Sequence, residues 1–212
     1  MSIKNINEKN IADAIADFES SVDFEFVPVI AEKSSYVEHI QWIISLILLL
    51  LFIGFIDSIF YDSWGNKNYY YLAAPIIAII LGTLLDKSDI VDRFFISKPE
   101  RKRQVQEKAQ RIFFLQKLNE VKSNNSLLLF ISVMERQIVL LPDPKIEKLS
   151  PEQIRKLSEN ALSVLQVHFK SKKYEEGLLE TIKMLKNELG QHFPRRANSN
   201  NEVANKLIWW ND

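Results

Sequence analysis

The chain contains no cysteine. That excludes a disulfide framework, a cysteine zinc site and a thiol nucleophile. Five glycines in 212 residues leave little room for a glycine-rich phosphate loop, and neither that motif nor a serine nucleophile elbow is present. An excess of either charge is missing as well. Lys and Arg number 27 and so do Asp and Glu, so no global field calls for nucleic acid as a partner. The first 30 residues lack a basic start followed by an apolar core, which argues against a cleavable signal peptide. His39, His168 and His192 are scattered without ligand spacing, so a histidine metal site has no support.

What the chain does have is two apolar runs. His39 to Ile56 and Asn68 to Leu85 contain no Asp, Glu, Lys or Arg. Each is about 18 residues long, near the ~20 a helix needs to cross the hydrocarbon core. Trp42 lies near one end, and Phe60, Tyr61, Trp64, Tyr69, Tyr70 and Tyr71 surround the connecting loop, as aromatic residues do at membrane interfaces. The reading is a two-span transmembrane hairpin over residues 37–86; a pair of buried core helices is the bland alternative. The loop holds Lys67 against Asp57 and Asp62, whereas Lys87, Arg93, Lys98, Arg101, Lys102 and Arg103 follow the second run. The positive-inside rule then places both termini and the soluble part in the cytoplasm. The basic run also suits anionic head groups. Pro75 either kinks the second helix or sits in its first turns.

The remainder reads as a small α+β domain split around the hairpin, residues 1–36 and 87–194, followed by a poorly ordered tail, 195–212. Ile11, Ala14, Ile15 and Phe18 have helical spacing, with Asn10 as cap. Asp23 to Ala31 reads as a strand with Phe24 and Phe26 on one face, and Pro28 puts it at an edge or a bulge. Ser97 to Glu100 and Ser150 to Gln153 are capping boxes that open helices. Leu127–Val133 and Gln137–Leu141, separated by Met134-Glu135-Arg136, predict a β-hairpin whose first strand is covered on both faces. Gly190 is placed to end the last helix. Trp209 and Trp210 either touch the membrane interface or dock on the domain. The first helix and strand are too small to bury a core alone, so they join the later strands in one mixed sheet flanked by helices.

These segments, in this order, resemble the TPM-domain family, in particular a bacterial membrane branch with two spans inserted in the domain. The residues that carry the likeness are Ile11 to Glu19, Phe24 to Val29, Lys33 to Tyr36, then Arg103, Val105, Ala109 and Phe113. Leu127 to Arg136, Val139 to Asp143 with Ile146, Gly177 to Ile182, Phe193-Pro194 and Asn201-Glu202 complete it. The resemblance implies an α/β sandwich, a bacterial plasma membrane location and either of two functions. One is a non-enzymatic module assisting assembly, repair or regulation of membrane proteins; the other is a weak metal-dependent acid phosphatase. Where relatives carry glycines after the second hairpin strand and before the first, this chain has Pro144-Lys145 and Ser123-Asn124-Asn125.

Glu19, Glu25, Glu135, Arg136 and Asp143 stand at family-matching positions near strand ends or turns. The four carboxylates, gathered at one end of a sheet, would suit a divalent cation such as calcium, and Arg136 a phosphate. The bland alternative makes Glu135-Arg136 a solvated turn and Asp143 a cap.

Overall fold

A computed structural model of the chain describes residues 6–36, 38–61, 67–86, 88–123, 125–146, 149–171, 173–196 and 201–210. Asp62, Trp64, Lys87 and Asn124, which entered the reading above, lie outside them. The chain divides into two compact units: Met1–Ser34 with Lys102–Asp212, and Ser35–Arg101.

The first unit is built on four strands: β1 (Glu25–Ala31), β2 (Ser126–Ser132), β3 (Gln137–Pro142) and β4 (Ile208–Trp210). Their order is β3-β2-β1-β4. β1 pairs parallel with β2 along its whole length, from Glu25↔Ser126 to Ala31↔Ser132. β3 is antiparallel to β2 and β4 parallel to β1. Every residue of β1 and β2 is buried, which explains their near-continuous apolar sequences.

Alternation divides these side chains between two cores. Phe26 and Ile30 of β1 and Leu127, Leu129 and Ile131 of β2 meet α1 (Glu8–Ser21), α6 (Pro151–Lys170) and α7 (Tyr174–Gly190). Val27 and Val29 of β1 and Leu128 and Phe130 of β2 meet Val105, Ala109, Ile112 and Phe113 of α5 (Lys98–Leu115). The result is a three-layer α/β/α arrangement, a mixed sheet flanked by helices.

Local signals hold in most places. Ser150 Oγ accepts the Gln153 amide at 3.2 Å while Gln153 Oε1 accepts the Ser150 amide at 2.9 Å, so the capping box of α6 is closed. The cap of α1 is Asn7, not Asn10: Asn7 Oδ1 accepts the Lys9 amide at 3.1 Å. Asn10 lies inside the helix and donates to Glu175 Oε1 at 2.7 Å. α7 ends at Gly190, but the next residue, Gln191, stays right-handed, so the left-handed freedom of glycine is not used there.

Two expectations are corrected. β1 is an interior strand in unbroken register with β2, although Pro28 suggested an edge or a bulge. The Glu25 amide donates to the Asn125 carbonyl at 2.8 Å, so odd-numbered amides of β1 face β2 and even-numbered positions face away from it. Pro28 therefore removes no bond to β2, and β4 pairs only with Val29–Ala31. The tail, in turn, is not unstructured throughout: residues 208–210 form β4. Trp209 packs into the core beneath α1 and α7, Trp210 into the one beneath α5, and Trp209 Nε1 donates to Glu8 Oε1 at 3.1 Å. The tryptophans dock on the domain.

The second unit holds α2 (Glu38–Ile59), α3 (Lys67–Leu85) and the short α4 (Asp89–Phe95). α2 and α3 are long and apolar enough to cross a membrane. Leu46, Leu50, Leu51, Phe55, Ile76, Ile80 and Leu84 are exposed along them, so the two are not the buried core of the unit. Pro75 lies inside α3 rather than in its first turns. The helices meet on small and polar residues: Ala74, Ala78 and Ser45 are buried, and Gln41 Nε2 donates to Thr83 Oγ1 at 2.9 Å. At Gly82 a Cβ would run into Ser45 Oγ and come within 3.2 Å of the Gln41 carbonyl oxygen, whereas at Gly54 it would meet nothing.

Gly82→Val should therefore destabilise the pairing of α2 and α3 by about 1–3 kcal/mol, the usual range for overpacking. Gly54→Val, with open space at its Cβ, is the control. Denaturation of the full chain in mixed micelles distinguishes the two; equal effects would overturn the close approach.

Candidate functional site

The β1–β2–β3 pairing fixes where each candidate side chain stands. Glu25 opens β1 opposite Ser126, and the Asp143 amide, just beyond β3, donates to the Ser126 carbonyl at 2.9 Å. Glu25 and Asp143 thus share the end of the sheet where β1 and β2 begin. Glu19 comes to the same end, its Oε1 accepting the Phe26 amide at 2.9 Å. Glu135 and Arg136 sit in the β2–β3 turn, at the other end of a strand that runs about 20 Å at ~3.3 Å per residue. The expectation of carboxylates gathered at one end is corrected accordingly: an antiparallel hairpin puts its turn and its exit at opposite ends. The four-carboxylate set does not fit a single ion.

Each buried carboxylate has backbone work instead. Glu135 Oε1 accepts the Ser34 amide at 2.9 Å, Oε2 accepts Ser132 Oγ, and Ser34 Oγ and Ser132 Oγ lie 2.5 Å apart. This ties the exit of β1 to the exit of β2. Met134 and Val133 complete the tie by donating to the carbonyls of Glu32 and Ala31 at 3.0 Å each. Arg136 is exposed and stands in the left-handed region, φ 54°, a conformation that costs a non-glycine residue about 1 kcal/mol.

Glu19 and Glu25 occupy the outer edge of β1. The Phe26 amide points away from β2 and would be orphaned before β4 begins; Glu19 satisfies it. Glu25 Oε2 accepts the Val203 amide at 3.0 Å, and Glu202 accepts the amides of Lys122 and Ser123 at 3.0 and 3.3 Å. Acidic side chains therefore strap the chain that leads into β4. Arg195 Nη1 donates to the Glu19 carbonyl from the same segment. Burial pushes the Glu19 carboxyl up from 4.5 to about 7; the Phe26 amide opposes it, Glu25 adds to it, and Asn205 and Arg195 pull it back. Burial also raises Glu25, against the amides of Val203 and Glu202.

Beside these lies a cleft of about 510 Å³ lined by Asp23, Asn125, Lys145, His192 and Arg196, among others. Asp23 Oδ2 accepts from Asn125 Nδ2 and from Arg196 Nε, both at 2.6 Å. Asp143 Oδ1 accepts the Lys145 amide at 2.8 Å behind the same loop. Asp23 is only 6% exposed and Asp143 only 1%. Asp23 Oδ1 and Asp143 Oδ2 are buried without a hydrogen-bond partner among the described residues. Such oxygens are costly and mark the place where a donor or cation would be welcome. Among the described residues no three carboxylates or imidazoles converge as metal ligands do.

Sequence reasoning named Asp143, which lies behind this loop and does not line the cleft, and missed Asp23, Asn125 and Arg196. Asp23 precedes an apolar strand and Asn125 a second one, as countless turn residues do, and only the parallel pairing of those strands makes them neighbours. His192, seen as isolated, lines the cleft. His168 stands elsewhere, with Nε2 2.5 Å from Glu180 Oε2, in hydrogen-bond contact with that carboxylate.

Two outcomes follow. Glu135→Ala leaves the Ser34 amide and the Ser132 hydroxyl without their acceptor, and should cost about 1–3 kcal/mol in unfolding free energy. For Glu19, a carboxyl raised in the folded state contributes stability that is complete below 4.5 and is lost as pH climbs through about 7. Unfolding midpoints should therefore fall between pH 4.5 and 7.5, and Glu19→Gln should flatten that slope; an unchanged slope would reassign it to Glu25.

Residues 90–188 match the family model described as TPM domain. That stretch holds α5, β2, β3 and α6 with most of α4 and α7. No curated protein matches the chain. Among solved structures, the chain is similar to the NMR structure of BA42 protein from the psychrophilic bacterium Bizionia argentinensis, with a TM-score of 0.56 and 16% identity over 98% of this chain and 97% of that one. At that identity the likeness concerns the fold. The match to a TPM domain spans just under half of the chain, and α1 and β1, which precede it, pair and pack with its strands and helices.

Proposed function

We propose that this chain is a membrane-anchored, non-enzymatic module, assisting assembly, repair or regulation of other membrane proteins through its TPM domain. The observation that supports this most is where the two apolar helices fall. They lie in the connection between β1 and β2, two strands that hydrogen-bond side by side over seven residues. A segment that leaves one strand and returns to its neighbour must come back to the same aqueous side, so two crossings satisfy the sheet and one does not. The exposed apolar side chains of α2 and α3 supply the lipid-facing surface. The basic residues after α3 outnumber those of the connecting loop, which supports a cytoplasmic side for the domain. Glu19, Glu25 and Glu135 serve the backbone, and this leaves the candidate cluster little catalytic capacity.

A second reading draws on the cleft. Unpartnered oxygens on Asp23, beside Arg196 in the cleft, and on Asp143, which holds the Lys145 amide behind it, are the chemical kind that a divalent cation with a phosphomonoester would engage. This is the phosphatase alternative, now resting on Asp23 and Asp143 rather than on Glu135 and Arg136.

Both are tested on one preparation. The full chain should stay in the membrane pellet after alkaline carbonate washing, and mild-detergent capture should recover the same membrane proteins reproducibly. Release into the supernatant would overturn the anchor, and failure to recover a reproducible partner would overturn the module. Hydrolysis of a generic phosphomonoester with calcium, magnesium or manganese, abolished by Asp143→Ala, would replace the module by the enzyme.

A further inference from the structure

The second unit contains a surface that the two spans do not account for. α4 follows α3 after a short turn in which the Asp86 amide donates to the Gly82 carbonyl and the Ser88 amide to that of Leu85, at 3.0 and 3.1 Å. Its sequence, Asp89-Ile-Val-Asp-Arg-Phe-Phe95, is two-sided. Val91, with Ile96 just beyond the helix, packs against Ile40, Ile44 and Leu48 of α2. On the other side Ile90 and Phe94, four residues apart and so on one face, are 72% and 85% exposed. Phe95 adds a ring whose centre lies 5.8 Å from that of Phe94. Two large apolar side chains standing free on one helical turn call for a cover.

What covers them is indicated by depth. α4 is seated on the first turns of α2, level with Trp42, which is itself exposed, and with the Gln41–Thr83 hydrogen bond. A tryptophan and a polar pair at the end of a span mark the interface between head groups and acyl chains. Exposed Lys98 follows closely, with a stem long enough to reach phosphate while Ile90 and Phe94 point into the acyl region. We infer that α4 is an interfacial helix, lying along the membrane surface with Ile90 and Phe94 inserted among the lipid chains just below the head groups. It braces the start of α2 and the end of α3 at one depth. This rests on the membrane reading of α2 and α3 and extends it to a lipid contact outside the spans.

The absence of cysteine allows single labels without background. Full-length chains carrying Ile90→Cys, Phe94→Cys, Leu50→Cys or Glu188→Cys are labelled with an environment-sensitive fluorophore and reconstituted in phosphatidylcholine–phosphatidylglycerol vesicles. Ile90 and Phe94 are exposed, and among the described residues the only ring contact given up is that of Phe94 with Phe95. Labels at 90 and 94 should be quenched at least about two-fold more by a shallow lipid nitroxide than by a deep one, as expected ~5–10 Å into the interface. The label at 50 should favour the deep nitroxide, and that at 188 should respond only to aqueous iodide. A lipid-embedded 50 with iodide-accessible 90 and 94 overturns the interfacial helix while the spans stand. Shielding of 90 and 94 from both quenchers means that protein covers α4, which also overturns it. An iodide-accessible 50 overturns the membrane reading itself.

Discussion

The parallel pairing of β1 with β2 is the constraint on which the rest depends. Seven residues before the apolar segment and seven after it hydrogen-bond in register, although more than ninety residues separate them in the chain. Parallel neighbours always need a long crossover, and here that crossover contains the two apolar helices as well as α4 and α5. The pairing creates both cores, because each strand is buried on two faces and needs helices above and below. It also brings Glu135 to Ser34 and Asp23 to Asn125, contacts between residues about a hundred positions apart.

A pairing of this kind leaves loose backbone at its margins, and the domain closes it with carboxylates. The outer edge of β1 is poor in donors: Phe26 gives its amide to Glu19, and Pro28 has none. Ile30 is the first even-numbered amide left for β4, which accounts for a fourth strand of only three residues. Glu25 and Glu202 fasten the approach to that strand, Glu8 holds its tryptophan, and Glu135 clamps the opposite end. All five of these acids accept amide or indole N–H groups, and those held by Glu19 and Glu135 would otherwise face a dry interior. Glu19 also bears the cost of burial, visible in its raised pKa.

The two units differ in what holds them. In the α/β/α unit large apolar side chains fill the interior. Between α2 and α3 the small residues Ala74, Ala78, Gly82 and Ser45 make close contact beside the Gln41–Thr83 and Tyr71–Asp57 hydrogen bonds, while many of the large apolar residues are exposed. Helices whose association has no hydrophobic drive, as in lipid, pack through small residues of this kind.

By itself the sequence determined what is local. The lengths of the two apolar runs, the capping box at Ser150, the alternation through Phe24 and Phe26, and the β2–β3 hairpin depend on neighbours within a few residues, whose spacing can be counted along the chain. Tertiary structure alone decided the rest. It made β1 interior despite Pro28, moved the cap of α1 from Asn10 to Asn7, and drew the terminal tryptophans into a strand. It sent Glu135 and Asp143 to opposite ends of the sheet and set Asp23 beside Arg196. These outcomes follow from strand order and register, which are fixed by contacts between distant segments, and a one-dimensional reading carries charge and spacing but not which edge lies next to which.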